Sequence, residues 1–240
     1  MKNLIIIGAG GFGREVLMMA VDSPCNGADW VIKGFLDNRP NILNGFTQDA
    51  NKVAYAMDYS EEKRARYRRD YPILGDPLIY EPQEGDVFLC ALGDPAQRRK
   101  YVEPLLAKGA KFVRLVHPLA AVSAFASVGL GSIIGAYVSL SPDCHIGQHV
   151  TVSYGAVLGH DTTVSDWAEI GTHCLISGNV KIGSAARVYP GAIITPKAHI
   201  GEQAVVAAGS VVFKSVKAQT TVLGNPARRF DWKLNVNNNT

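Results

Sequence analysis

VSYGAVLGHDTTVSDWAEIGTHCLISGNVKIGSAARV, residues 152–188, places Val152, Leu158, Val164, Ile170, Ile176, Ile182 and Val188 six residues apart. Followed outward, the spacing begins at Val122 and ends at Val212, with Val, Ile or Leu at sixteen of sixteen positions. Four residues after the aliphatic position stands a small or β-branched residue, among them Ala126, Ser132, Val138, Cys144, Ala156, Ala168, Ala192, Ala204 and Ser210. Neither helical spacing nor strand alternation keeps such a register over ninety-odd residues. A hexapeptide repeat reads as a parallel β-helix, each coil stacked on the last. Three hexapeptides close one three-faced coil, with the aliphatic residue in the narrow bore and the small residue beside it. Coils then stack at about 4.8 Å, which makes the repeat roughly 25 Å long. Glycine often follows the aliphatic position (Gly129, Gly135, Gly147, Gly159, Gly171, Gly183, Gly201). There it is expected to serve tight corners with unusual dihedrals.

Ahead of the repeat the pattern changes. Residues 4–7 form an apolar strand that runs into a turn with Gly8, Gly10, Gly11 and Gly13; a helix is expected over 14–21 and a strand over 31–36, ending at Asp37. Strand, glycine turn, helix, strand and acid is the context of a nucleotide-binding unit. Glycines admit a diphosphate close to the backbone, and the helix N-terminus offers N–H groups to it. Asp37 is expected to accept hydrogen bonds from a ribose or a base. A dinucleotide such as NAD and a nucleotide diphosphate-sugar both fit this motif. One more strand, helix and strand follow, over 87–92, 95–108 and 112–116. Asp94 is the expected N-cap, Pro95 the first helical residue and Gly109 the stop. This is a half-sized Rossmann-like unit, without the second mononucleotide half that a dinucleotide spans. Residues 40–82 carry little pattern beyond a charged helix expected from Ser60. The fold class is therefore α/β plus all-β. A small Rossmann-like βαβ domain is expected over residues 1–117, and a parallel β-helix with a C-terminal tail over 118–240.

At 240 residues the chain has room for both cores, and a composition of 47% hydrophobic and 19% charged residues is ordinary for a globular protein. No apolar run approaches a membrane span, and residues 4–7 are too few for a signal peptide. Four cysteines fit free thiols, so a cytoplasmic location is expected. Cys144 and Cys174 take small inward positions on different faces, where they serve as buried small hydrophobes. Residues 170–234 hold eight basic side chains against two acidic ones, a balance that attracts a polyanion. No basic stripe is interleaved with aromatics, which argues against nucleic acid. The asparagine-rich tail over 235–240 is expected to be disordered.

The repeat also locates chemistry. His160 lies two residues after Leu158, at a corner, and the residue one coil above it is Gly178. An imidazole and an unobstructed backbone N–H are thus expected about 5 Å apart along the stack. Acyl transfer from a thioester asks for those two groups: a base for the attacking amine or hydroxyl, and a donor for the oxyanion.

With these residues in place, the chain resembles the hexapeptide-repeat acyltransferases, and within them the nucleotide-amino-sugar N-acetyltransferases and sialic-acid O-acetyltransferases. The resemblance implies a left-handed β-helix, a homotrimer and acetyl-CoA as co-substrate, with no metal. His160-Asp161 resembles the family's catalytic histidine and its acidic neighbour, with Asp161 orienting the ring. Ser177-Gly178-Asn179 resembles the acetyl-CoA turn. Glu169 stands where the family carries a second histidine, and Pro190 and Ala208 match CoA-contacting positions. Residues 222–228, VLGNPAR, resemble the ending that closes over CoA. By the same likeness Gly10, Gly11, Phe12, Asp37, Asn38 and Gly93 line the pocket for the nucleotide of the acceptor. The implied reaction is N-acetylation of a UDP- or dTDP-linked 4-amino-deoxy sugar destined for surface glycan such as lipopolysaccharide. O-acetylation of a sialic acid is the nearest alternative, and a non-catalytic NAD-binding or scaffold trimer is the alternative of another class. A zinc site of the γ-class carbonic anhydrase kind is not expected. That site needs histidines five apart, whereas His145, His149, His160, His173 and His199 stand 4, 11, 13 and 26 apart.

Overall fold

The structure is a computed structural model and describes residues 1–43 and 71–231. The helix expected from Ser60 and the tail over 235–240 lie outside the described residues. The chain forms two compact units. Residues 1–93 with 97–113 make the first, and 94–96 with 114–240 the second, so the division falls four residues before the expected 117/118.

In the first unit the strands are β1 (Lys2–Ile7), β2 (Trp30–Leu36), β3 (Ile73–Gly75), β4 (Asp86–Cys90) and β5 (Lys111–Phe112). They lie side by side in the order β3-β2-β1-β4-β5, all parallel. Strands buried on both faces read as continuous apolar runs, as Leu4, Ile5, Ile6 and Ile7 do. Helix α1 (Gly11–Asp22) follows β1, and α2 (Pro95–Ala107) follows β4. Asp94 caps α2 as expected, its Oδ1 accepting the Ala96 N–H at 2.9 Å. Gly13 is fixed by space, because a Cβ there would stand 2.0 Å from the Gly8 carbonyl oxygen. Connections from β1 leave in opposite directions, to β2 and, past β3, to β4. Such a reversal of strand order opens a crevice beyond the carboxyl ends of the central strands.

Two strand expectations need correction. β3 was not foreseen, because it is three residues long and follows a stretch without periodicity. The strand expected over 112–116 is two separate pieces: Lys111–Phe112 pairs with β4, whereas Leu115–Val116 pairs with Ile133–Ile134 and begins the β-helix.

The second unit is a parallel β-helix of two-residue rungs in three sheets. Partners lie eighteen residues apart, as in Ser139↔Val157, His145↔Thr163 and Thr151↔Glu169. The aliphatic positions from Val128 to Val212 are buried in one continuous column with the small residues beside them, including Ser132, Ala156 and Ser210. Each aliphatic side chain buried this way stabilises the fold by roughly 1.5–3 kcal/mol. Cys144 and Cys174 lie in this column as free thiols. Burial raises both to a pKa of about 11. At the far end the interval drops to sixteen, with Val205 on Thr221, and Thr221–Leu223 turns back antiparallel to Arg228–Arg229. The expected CoA-closing segment thus also covers the last coil, Ala227 N–H donating to the Val211 carbonyl.

The corner glycines act differently from the expectation. Positive φ recurs at every sixth residue from 131 to 209, three places after the aliphatic position, and ten of those fourteen residues are not glycine. Gly159 and Gly183, one place after it, have no positive φ. A Cβ on either would stand 2.6 Å from a backbone nitrogen of the next coil, Gly178 and Glu202 respectively. They are glycine because coils approach closely there, not because the backbone turns.

Candidate active site

His160 sits where a coil turns. Its carbonyl accepts the Asn179 N–H at 2.8 Å, and the Asp161 N–H donates to the Pro142 carbonyl at 3.2 Å, so the neighbouring coils hold the corner from both sides. Asp161 takes the left-handed position, φ +57. That conformation brings its carboxylate back to the ring, with Oδ2 2.6 Å from His160 Nδ1. A carboxylate accepts, so a neutral ring in this pairing carries its proton on Nδ1 and keeps Nε2 as an acceptor. Both side chains are more than half exposed, so water screens the pair, and its effect is orientation rather than stability.

The Nε2 edge of the ring lies against Gly178. A Cβ at that residue would meet His160 Nε2 at 2.6 Å, Cε1 at 2.8 Å and Cδ2 at 3.0 Å. The Gly178 N–H has no backbone acceptor among the described residues. Base and donor therefore stand at one corner, as the eighteen-residue offset predicts.

The other expected residues of the β-helix lie elsewhere in this chain. Glu169 is half-buried on the flat face opposite the His160 corner, paired between Thr151 and Arg187. Pro190 and Ala208 stand eighteen apart, exposed, at the corner that follows that face. The structure gathers His160, Asp161 and Gly178, and separates Glu169, Pro190 and Ala208 from them.

In the first unit, a cavity of about 290 Å³ opens beyond the ends of β1, β2 and β4. Asp37 and Asn38 line it with Arg39, Pro77, Gln97 and Tyr101. Gly10 caps α1 beside the Arg39 side chain, 4.0 Å away from the point a Cβ would occupy, and Gly11 faces open space. Phe12 is half-buried on α1, and the Gly93 carbonyl accepts from Arg98 Nη2 at 3.2 Å.

Asp37 lines the cavity, but its carboxylate is engaged within the protein. Its carboxylate is buried and already accepts the Ala9 N–H (2.9 Å), the Arg39 N–H (3.0 Å) and a fork from Arg39 Nε and Nη2 (2.9 Å each). Burial pushes this carboxyl up, but the Arg39 side chain and the backbone N–H donors outweigh it and hold it below its usual range. The acceptor expected for a ribose is occupied within the protein. Sequence reasoning also missed Arg39, Gln97 and Tyr101. The last two stand four apart on α2, a same-face spacing that was legible, while the Asp37–Arg39 fork is a local pairing without periodic signature. No group of three or more His, Cys, Asp or Glu suited to a metal occurs among the described residues. Nor is any helix among them long and apolar enough to cross a membrane.

Residues 3–105 match the family model of the PglD N-terminal domain, and residues 116–219 that of the GMPPB C-terminal domain. No curated protein sequence matches the chain. Among solved structures, the acetyltransferase domain of PglB from Neisseria gonorrhoeae is 26% identical, with a TM-score of 0.78 over 96% of this chain and 100% of that one. The same domain in complex with acetyl coenzyme A gives a TM-score of 0.77 at 26% identity, over 95% and 99% of the two chains. PerB from Caulobacter crescentus, in complex with CoA and GDP-perosamine, shares the fold at 24% identity, with a TM-score of 0.77 over 96% and 98%. Sheet order, repeat and these likenesses give the chain the architecture of the PglB acetyltransferase domain, a PglD-type N-terminal domain followed by a left-handed β-helix.

Proposed function

We propose that this chain transfers the acetyl group of acetyl-CoA to the amino group of a nucleotide-linked 4-amino-deoxy sugar, with UDP or dTDP as the nucleotide. The observation that carries the reading is the corner at which His160, oriented by Asp161, lies against Gly178. The amine attacks the thioester carbonyl carbon directly, and His160 Nε2 takes the proton that the nitrogen loses. The Gly178 N–H faces the oxyanion of the tetrahedral intermediate. Collapse breaks the carbon–sulfur bond and releases CoA, whose thiolate regains a proton from the imidazolium. No covalent enzyme intermediate forms.

Assembly as a homotrimer accounts for the scattered residues. Val157, Leu175 and Ile193 stack eighteen apart on one flat face, each more than a third exposed. The His160 corner bounds that face on one side and the Pro190 and Ala208 corner bounds it on the other. A three-fold packing of such faces sets the His160 corner of one subunit beside the second corner of its neighbour, completing an acetyl-CoA groove.

The deciding experiment is release of free CoA thiol from acetyl-CoA across a panel of UDP-, dTDP- and GDP-linked amino sugars and sialic acid, with His160→Ala in parallel. GDP belongs in the panel because PerB was crystallised with GDP-perosamine. Turnover on an amino sugar that His160→Ala abolishes is the expected result. Turnover on sialic acid alone would move the reading to O-acetylation. Absence of turnover, with NAD raising the melting temperature and acetyl-CoA not, would overturn the transferase.

A further inference from the structure

We infer that Arg39, held in place by Asp37, is the side chain that reads the nucleotide of the acceptor, through oxygen atoms that accept its remaining guanidinium hydrogens. The inference rests on the proposed nucleotide-sugar site and changes its chemistry from acceptor to donor. Three observations carry it. The Asp37 carboxylate already accepts four donors inside the protein, two backbone and two guanidinium, so both of its oxygens are committed. That fork engages Arg39 Nε and Nη2 and leaves Nη1 as the nitrogen that Asp37 does not engage. The guanidinium is also placed for a ligand. Arg39 lines the cavity at the sheet's reversal point and lies beside Gly10, yet its side chain is 59% exposed.

A bidentate carboxylate fork fixes the plane of an arginine and lowers the entropy lost when that plane meets a ligand. Asp37 is thus a positioning residue, acting through Arg39. The other polar side chains of the cavity that the argument needs are Asn38, Gln97 and Tyr101, all of which can donate. These three can also accept, whereas a guanidinium only donates, so Arg39 selects a ligand edge made of acceptors: phosphate oxygens or the carbonyls of a base.

The test is calorimetric binding of UDP, dTDP and GDP, with uridine, thymidine and guanosine as phosphate-free arms. The variants are Arg39→Ala, Arg39→Lys, Asp37→Asn and the Asp37→Asn/Arg39→Ala double. Arg39→Ala should weaken the bound nucleotide about tenfold or more, and Arg39→Lys should restore only part, because lysine cannot keep the fork. Asp37→Asn should weaken it too, yet add nothing in the Arg39→Ala background, the mark of two residues acting as one. KM for the nucleotide sugar should rise while KM for acetyl-CoA holds, which also shows that the variants are folded. A loss confined to the diphosphates identifies phosphate as the oxygens read, and a loss shared with the nucleosides identifies the base. Unchanged affinity in Arg39→Ala would overturn the inference, as would a further loss from Asp37→Asn in that background. If the unmodified chain binds none of the nucleotides, the nucleotide-sugar reading itself falls.

Discussion

One hydrogen atom at residue 178 decides what His160 can do. The ring occupies the space a side chain would need, so the histidine is placed by an absence on the coil above it as much as by its own carboxylate partner. Gly178→Ala should therefore push the ring aside, keep the fold and cut kcat by roughly a hundredfold, as misplacement of a reacting group by about 1 Å does. Thermal melts should change little, because the corner is exposed. A Gly178→Ala enzyme with wild-type kcat would mean that Nε2 does not need its present position. This pair was legible in the sequence because one number, eighteen, relates the two residues. Asp37 was legible only as a type: its end-of-strand place marked a nucleotide site, but its partner two residues on decides which sign of charge the site presents. Short-range pairings of that kind leave no period to read.

At the scale of the element, the repeat gave the coil, its bore and its register, while the reason for its glycines emerged only from stacking. Ten of the fourteen left-handed corners are filled by residues other than glycine, and the glycines one place after the aliphatic position stand where adjacent coils touch. The two roles make opposite predictions two residues apart. Gly183→Ala sets a methyl 2.6 Å from the Glu202 nitrogen and should cost about 1–3 kcal/mol, as overpacking does. Ala185→Gly, at φ +53, removes a left-handed strain of roughly 1–2 kcal/mol, partly offset by the freer unfolded chain. Denaturation of both variants should show the first less stable than the parent and the second equal or better. The reverse order would restore the dihedral explanation. In the β-sheet unit, Asp86 provides a comparable test. Burial pushes its carboxyl up, but donors from Tyr80, the Gln83 N–H, Lys33 and Asn3 outweigh it and hold it low. A carboxyl lower in the folded state stabilises fully above its unfolded value, roughly pH 4, and loses that contribution as pH falls through the folded one. Urea midpoints should accordingly decline below that pH, and Asp86→Asn should be weaker at neutral pH but decline less. An equal decline in both would place the acid sensitivity elsewhere.

For the whole molecule the decisive surface is the flat face that carries Val157, Leu175 and Ile193. Outward positions of a β-helix alternate with buried ones, and solvent asks nothing apolar of them, yet this column repeats three large aliphatic side chains at the coil interval. A contiguous apolar column on an exposed face marks a protein contact. A second copy fits it best, since the residues that the family resemblance assigns to acetyl-CoA stand on both of its flanking corners and cannot meet within one chain. Leu175→Glu places a charge at the centre of that column, where burial against a neighbour would leave it unpaired. We expect the parent chain to elute as a trimer by light scattering, and the variant as a monomer with its own coils intact by circular dichroism. Acetyl transfer should fall with the trimer fraction, and the monomer should still bind nucleotide, because that cavity lies within one unit of a single chain. A fully active Leu175→Glu monomer would show that one chain completes the groove alone, and Pro190 and Ala208 would then have no part in it.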